Sequence, residues 1–505
     1  MAHSGDTTRP QSVKAEFDPQ FSATPLGGAA LIERAMRRLG VRRILGAHLP
    51  GRSPQARYES AEAAWALIAS LLLGGRGLCA AELLREDPLA AEIFGLGAGV
   101  PEEATMYRVV CELAGLDQRR REETYEKAGA IQPRLSIGGH LKSSPQLRRI
   151  VPSAPEAMAP ERRAALREAE HALARRCHQS LLHQQTKLAG YTVVFGDGTD
   201  LEVQGRCFDA ARIGREGERQ LRWMTLMLGA LMIGQELMAG NIDEAAPLVE
   251  LVRHSAALIE ELAGGGRVLA LLDSAFLEKS VLDVLAERRW KFIIGANQWR
   301  AILMRLAEEQ PAELVWKKTG PDAARRWSES EVGVFIHQAE NWAHPVTIAA
   351  RRWREEGELP GTPWHYAFIA TNLDKADLPA SLIKNHGYAR ALWALYSTKQ
   401  GREEHYKTAL ADLGLHHPPS GRLGVSQAFY ALGAMAYNLA MVLRYRVVPN
   451  EEEAMRLWRM RQCYFALAGY LVRTGRRLIV RLAGASVHAQ RQVLWERAWA
   501  RAGAL

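Results

Sequence analysis

RVLALLDSAF, residues 267–276, is the stretch on which the architecture turns. A short run of Val, Leu and Ala closed by an aspartate reads as an interior strand, and an Asp leaving such a strand points into the crevice where open α/β sheets take their ligands. Working outward, a helical segment, AAPLVELVRHSAALIEELAGG (245–265), leads in; a second, AFLEKSVLDVLAERR (275–289), leads out into another strand, KFIIGAN (291–297). Upstream, YTVVFGD (191–197) is again a strand closed by an aspartate, followed by strand-like LRWMTLMLGALMI (221–233). Strands first, then strand alternating with helix, predict a mixed sheet covered by helices.

The rest of the chain divides around this unit. Residues 1–28 are polar, carry Pro and lack any period, as a flexible lead-in does. Over 29–128 apolar residues recur at helical spacing, as in LIERAMRRLG and SAEAAWALIASLLLGG, which predicts an all-helical N-terminal domain. A Gly-, Pro- and Ser-rich linker spans 129–160, and a charged helix from about Glu161 to Leu188 opens the first part of the α/β unit, 161–312. Within 313–372, WKKTG, VTIAARRWR and WHYAFIATN read as an antiparallel β insertion; 373–447 returns to helix as the second part, and 448–505 reads as an Arg-rich helical C-terminal region.

Composition narrows the function classes. The 505 residues, 48% hydrophobic and 24% charged, are those of an ordinary globular chain. The longest strongly apolar stretch, Trp65–Leu73, is about half of the ~20 residues a bilayer helix needs. The opening MAHSGDTTRPQ lacks a charged region followed by an apolar one, so neither a membrane role nor export is expected, and the cytoplasm is. Five scattered cysteines without a CxxC predict reduced thiols. A net charge of +9, with Arg far outnumbering Lys, permits a polyanionic partner.

Several familiar signals fail. GLGAGV (95–100) precedes a helix start and follows a helix rather than a strand, so it reads as a turn; P-loop and GxSxG motifs are absent. His171, Cys177, His178 and His183 share one helix and cannot close around zinc. What remains is acidic: Asp197 and Asp273 at strand ends, and Glu403 with Glu404 beside it in YSTKQGREEHYK (396–407). Carboxylates from two strands and a helix suit two hard divalent cations about 3.5–4 Å apart, as in nucleases and polymerases. An Asp after a strand is also a common turn former, and an acidic pair on a charged helix a common solvated face.

The joint order of these acids resembles the DDE insertion-sequence transposases. FGDGTD (195–200) is similar to the family's first-Asp motif, MAGNIDEA (238–245) to the Gly-Asn segment after it, and LLDSAF (271–276) to its second-Asp motif. YSTKQGREEHYK resembles the Tyr, Arg, Glu signature, with Tyr396 and Lys399 in the first two places, and SQAFYALGAMAYNL (426–439) resembles a closing helix. The resemblance implies a ribonuclease-H-like mixed sheet with an inserted antiparallel β subdomain, preceded by an all-helical, DNA-binding N-terminal domain and followed by C-terminal helices. It implies DNA cleavage at element ends and strand transfer, with Asp197, Asp273 and Glu403 holding two Mg²⁺ ions, or Mn²⁺ in their place. Tyr396, Lys399 and Lys407 would then contact phosphates on one helical face, and Arg326 and Trp327 in the insertion would contact DNA. Its partners would be double-stranded DNA, as terminal inverted repeats and target, and a second copy of the chain pairing two ends at the nucleoid.

Three departures stand out. Lys399 replaces the family's Arg, Leu410 stands where a downstream Lys is usual, and the doublet leaves Glu403 and Glu404 both open as third ligand. The spacing Tyr-x2-Lys-x3-Glu favours Glu403; Gly401-x2-Glu favours Glu404. Two alternatives remain beside a transposase: a DNA-binding descendant without catalysis, which Lys399 and Leu410 favour, and a nuclease of the same fold, which would hydrolyse but never join strands.

Overall fold

The apolar runs of the α/β unit become the innermost strands of one sheet. The computed structural model describes residues 22–96, 99–117, 155–181, 187–204, 208–214, 217–296, 299–309, 314–320, 322, 325–359, 361–452, 454–475, 477–484 and 489–505, the side chains of 401–404 and 477 excepted. In chain order the first strands are β1 (Lys187–Leu188), β2 (Tyr191–Glu202), β3 (Arg212–Ile213), β4 (Arg219–Leu228) and β5 (Leu231–Ala239). Then come β6 (Val268–Leu272), β7 (Lys291–Gly295), β8 (Lys317–Lys318), β9 (Trp327–His337), β10 (Val346–Glu355) and β11 (His365–Thr371). A separate hairpin pairs β12 (Gly469–Thr474) with β13 (Arg477–Leu482).

Strands β1 to β11 form one sheet whose central path runs β3-β4-β2-β6-β7-β11-β10-β9-β8, with β1 on β2 and β5 on β4. Only β2, β6 and β7 run parallel to one another. All five residues of β6 are buried, the expected state of a parallel strand covered on both faces by crossover helices. The antiparallel insertion is not set apart as a layer of its own: β11 pairs antiparallel with β7, so β8 to β11 extend the same sheet.

The other half of the core is the helix Leu423–Val442, all twenty of whose residues are buried. LGVSQAFYALGAMAYNLAMV is apolar around its whole circumference, so it can only be a core helix. It packs against β5 and against the helices Pro160–Ser180, Ser60–Leu73 and Glu103–Leu113. Its small residues permit that closeness: a Cβ on Gly433 would lie 2.7 Å from Leu415 Cδ2. Buried Asn438 acts as an extra strand partner, its Oδ1 accepting from Met232 N and its Nδ2 donating to Met232 O, both at 2.8 Å.

Among the described residues no single helix is long and apolar enough to cross a membrane. Cys111 and Cys177 are buried thiols, Cys463 is half-buried and Cys79 exposed, while Cys207 falls outside the described residues. Most of the expected lead-in and linker, 1–21 and 118–154, also lies outside them. The charged helix is shorter than its sequence suggests, Pro160–Ser180, since Lys187–Leu188 already pair with β2.

The C-terminal region corrects the sequence reading. In place of continuous helix, residues 469–482 form the β12–β13 hairpin, turning at Gly475 with φ +54°. Many of the region's arginines also have structural partners, among them Arg491 on Glu452 and Arg497 on Glu451. Arg461 donates to Leu71 O and Leu72 O at 2.7 and 2.8 Å, closing the C-terminus of helix Ser60–Leu73; Arg456 pairs with Asp412 and Arg473 with Glu92.

Removing the Asn438 side chain orphans a buried N–H and a buried C=O. Asn438→Ala is expected to lower unfolding stability by about 3 kcal/mol, measured as a shift in guanidinium midpoint at unchanged m-value.

Candidate active site

Strand register brings the predicted acids together. Pairing of β2 with β6 matches Gly196 with Leu272, and pairing of β6 with β7 matches Leu272 with Ile294. The next residue on each strand is Asp197, Asp273 and Gly295, so these three stand side by side, about 4.8 Å from strand to strand. On the far side, β4 sets Thr225 directly opposite Asp197. Thr225, Asp197, Asp273 and Gly295 thus form a row across four adjacent strands.

One segment covers the row. Helix Tyr388–Ser397 passes through a 3₁₀ turn, Thr398–Arg402, into the short helix Glu403–Lys407. The Tyr396 hydroxyl fills the space a side chain at 295 would need: a Cβ on Gly295 would fall 2.7 Å from it and 3.0 Å from Ser274 N. Lys399 Nζ lies 2.5 Å from Asp273 Oδ2. The Tyr406 hydroxyl lies 2.5 Å from Thr225 Oγ1. Beside it, buried His405 meets the Tyr437 hydroxyl through Nδ1 at 3.0 Å, which ties this short helix to the core helix.

The charges explain one another. Burial pushes the Asp197 carboxyl up to about 6; Lys399 draws it back down, while the charge of Asp273 and a hydrogen bond between the two carboxyls push it further up. Tyr396 is raised by burial and then by Asp273 and Asp197, and Tyr406 by burial and then by Asp197. Both phenols therefore stay protonated near neutral pH and serve as neutral donors.

Of the residues singled out in the sequence, Asp197, Asp273, Tyr396 and Lys399 meet at this point. Glu403 and Glu404 open the covering helix, their side chains outside the described set. Lys407 ends that helix, exposed; the continuous helical face expected to carry Tyr396, Lys399 and Lys407 is broken by the 3₁₀ turn, which holds the helix-weakening Gly401. Arg326 is exposed at φ +57°, and Trp327 stacks on Trp353 with ring centroids 4.9 Å apart instead of meeting the aspartates. Trp327 connects to the site through Arg351, whose guanidinium lies over Trp327 and, at 4.2 Å, over Trp393 of the helix that carries Tyr396.

Thr225, Gly295 and Tyr406 escaped the sequence reading. Tyr406 sits inside the quoted motif, and Gly295 closes KFIIGAN where the two other parallel strands end in Asp, so both carried a positional signal. Thr225 carried none, because only the β2–β4 register pairs it with Asp197.

The family profile described as transposase DDE domain group 1 matches residues 6–498. The chain belongs to that family. No protein of curated function matches it. Similar solved structures include the "Mos1 transposase paired-end complex with left transposon end", at 18% identity over 48% of this chain and 60% of that one, with a TM-score of 0.17. The match thus spans less than two thirds of that transposase.

The donor set of this DDE-family site suits a hard divalent cation. Two carboxylates stand side by side, one of them pushed up by burial and then by the charge of the other, and the ligating atoms offered are oxygens. Among the described residues no group of three His, Cys, Asp or Glu stands together.

The raised Asp197 has a thermodynamic sign. Its folded value, about 6, exceeds the ordinary 3.8, so the folded chain holds the proton more tightly and stability falls as pH rises from about 4 through 6. In metal-free buffer Asp197→Asn is expected to melt about 2–4 °C above wild type at pH 7.5. The gap should close towards pH 4, as read by scanning calorimetry in EDTA; a constant gap would contradict the assignment.

Proposed function

We propose that this chain is a cut-and-paste DNA transposase that cleaves at element ends and joins the ends to target DNA. The observation that carries the reading is the row Thr225–Asp197–Asp273–Gly295, covered in order by Tyr406, Lys399 and Tyr396. Asp197 and Asp273 are two of its three acids, and Glu403 is the third. Lys399 lies over Asp273 and Tyr406 over Thr225, two strands further along the row, so the stretch over Asp197 falls midway between them, nearer Glu403 than Glu404.

Asp197, Asp273 and Glu403 are the residues that would hold two Mg²⁺ ions, with Mn²⁺ able to substitute. Bound there, such ions would supply a water of lowered pKa and positive charge for a leaving 3′-oxygen. The chain's own side chains do the rest. Lys399 neutralises Asp273 and meets the scissile phosphate as a point charge, without the bidentate fork of an Arg. Tyr396, held protonated, donates to a phosphate oxygen. Lys407, Arg326 and Trp327 contact the flanking duplex from more exposed positions. The helical segment 29–128 and the Arg-rich 448–505 grip the element ends, with 161–312 and 373–447 as the catalytic unit around the 313–372 insertion. Two copies pair two ends, in the nucleoid. DNA binding without cleavage is the second reading, favoured by Lys399 in place of Arg and engaged on Asp273.

With Mg²⁺, linear DNA carrying the element's flanking ends and a target plasmid, wild type is expected to give joined products. Asp197→Asn, Asp273→Asn and Glu403→Gln should each cut cleavage by at least about 10³-fold, since a Lewis-acid site is worth several kcal/mol. Glu404→Gln should stay within about tenfold of wild type; the reverse ranking would transfer the third ligand to Glu404. Tight binding by wild type with no cleavage would establish the second reading.

A further inference from the structure

The β12–β13 hairpin is unused by the catalytic reading. Its root is fastened: Thr24 and Gly469 exchange backbone hydrogen bonds at 2.8 and 2.9 Å, and Gly27 packs so closely on Gly469 that a Cβ there would lie 3.1 Å from the Gly469 Cα. The ribbon has six residues in each strand, or about 20 Å of length; Arg473 on one face pairs with Glu92, and the other face is the more open. Register pairs Tyr470 with Arg481, Val472 with Ile479 and Thr474 with Arg477 on one face. Tyr470 is 36% and Ile479 39% exposed, and Arg481, directly opposite Tyr470, is exposed as well. Apolar side chains left bare along a ribbon mark a surface that is covered in use.

Charge says what covers it. From Thr474 to Gln490 the chain carries Arg476, Arg477 and Arg481 and no Lys, Asp or Glu, whereas the neighbouring Arg456, Arg473 and Arg491 are paired with Asp412, Glu92 and Glu452. A second copy laid face to face on this ribbon would set arginine against arginine, which an isologous contact between sheet faces penalises. A polyanion meets no such cost. A two-stranded ribbon fits the major groove, about 12 Å wide, where Arg reads guanine edges and aliphatic side chains meet thymine methyls. We infer that the β12–β13 ribbon docks in the major groove of duplex DNA, with Arg481, Tyr470 and Ile479 facing the bases and backbone. The inference deepens the transposase reading and rests on it for the identity of the polyanion.

The test uses the full chain in EDTA, so that it reads binding apart from cleavage. Fluorescence anisotropy on a 30-base-pair labelled duplex of mixed sequence would compare wild type, Arg481→Ala and the double variant Tyr470→Ser/Ile479→Ser, each first shown to melt with wild type. Arg481→Ala is expected to weaken binding about tenfold and to reduce the slope of log K against log salt by about 1. Dimethyl sulfate protection at guanine N7, which reports the major groove, should be present with wild type and lost with Arg481→Ala. Unchanged affinity, slope and protection in both ribbon variants would overturn the inference, as would a ribbon variant that alters only the mass seen by light scattering, the mark of a protein interface. Ribbon-dependent binding by a chain that never cleaves would keep this inference and remove the catalytic one; cleavage with indifferent ribbon variants would do the opposite.

Discussion

The alignment of three parallel strands is the constraint from which the site follows. Because side chains alternate across a sheet, a one-residue slip of β2 against β6 would send Asp197 to the opposite face from Asp273 and put a glycine, 196 or 198, in its place. The register is held on the other face. Gly196 lies under helix Ala245–Leu262, where a Cβ would fall 2.8 Å from Leu272 and 2.9 Å from Leu248, so only a glycine there lets the helix seat. Packing on one face thereby fixes carboxylate geometry on the other. It also works against stability, since two acids held side by side raise Asp197, and the apolar core formed by β6 and helix Leu423–Val442 has to offset that cost.

The covering segment answers a second geometric demand. Residues from one stretch of chain have to reach several strands of a flat row, and a regular helix would spread them around its circumference. The segment changes pitch instead, from helix to 3₁₀ turn to helix to a π-type turn over Thr408–Asp412. It is fixed by groups remote from the row: His405 on Tyr437 before the π-type turn, and Asp412, the last residue of that turn, on Arg456. An arginine from the C-terminal region thus serves to position the covering segment, a role no charge pattern would announce.

How much was legible in the sequence follows from the range of the forces involved. Asp197 and Asp273 could be read because an acid ending an apolar run is a local pattern. Their nearness to Thr225, Gly295 and Tyr406 depends on strand pairing between distant residues, which has no local signature. The hairpin at 469–482 was misread for a related reason: RLIVRL satisfies a helical stripe nearly as well as an alternating strand, and the wealth of Arg, a good helix former, weighted the choice. The readable sign was Thr474-Gly475, where the chain turns with positive φ. Composition misled about the arginines as well, because Arg461 and Arg456 are consumed inside the molecule by carbonyls and a carboxylate.

Lys399 is where the chain departs most tellingly from its family's pattern. An Arg would present a planar fork able to hold both oxygens of Asp273, or one oxygen of each aspartate, and its charge could not be shed. The ammonium of Lys399 instead engages one oxygen, Oδ2, on a four-carbon stem that rotates without disturbing the backbone of the 3₁₀ turn. A single strong contact to Asp273 Oδ2 draws the crowded pair down without a second bond to Asp197. The substitution therefore exchanges geometric precision at a phosphate for ease of release from a carboxylate. In a site whose acids are already forced together by strand register, ease of release is the property that, under the proposed function, would let the same cation balance the acids at rest and turn to a phosphate on DNA.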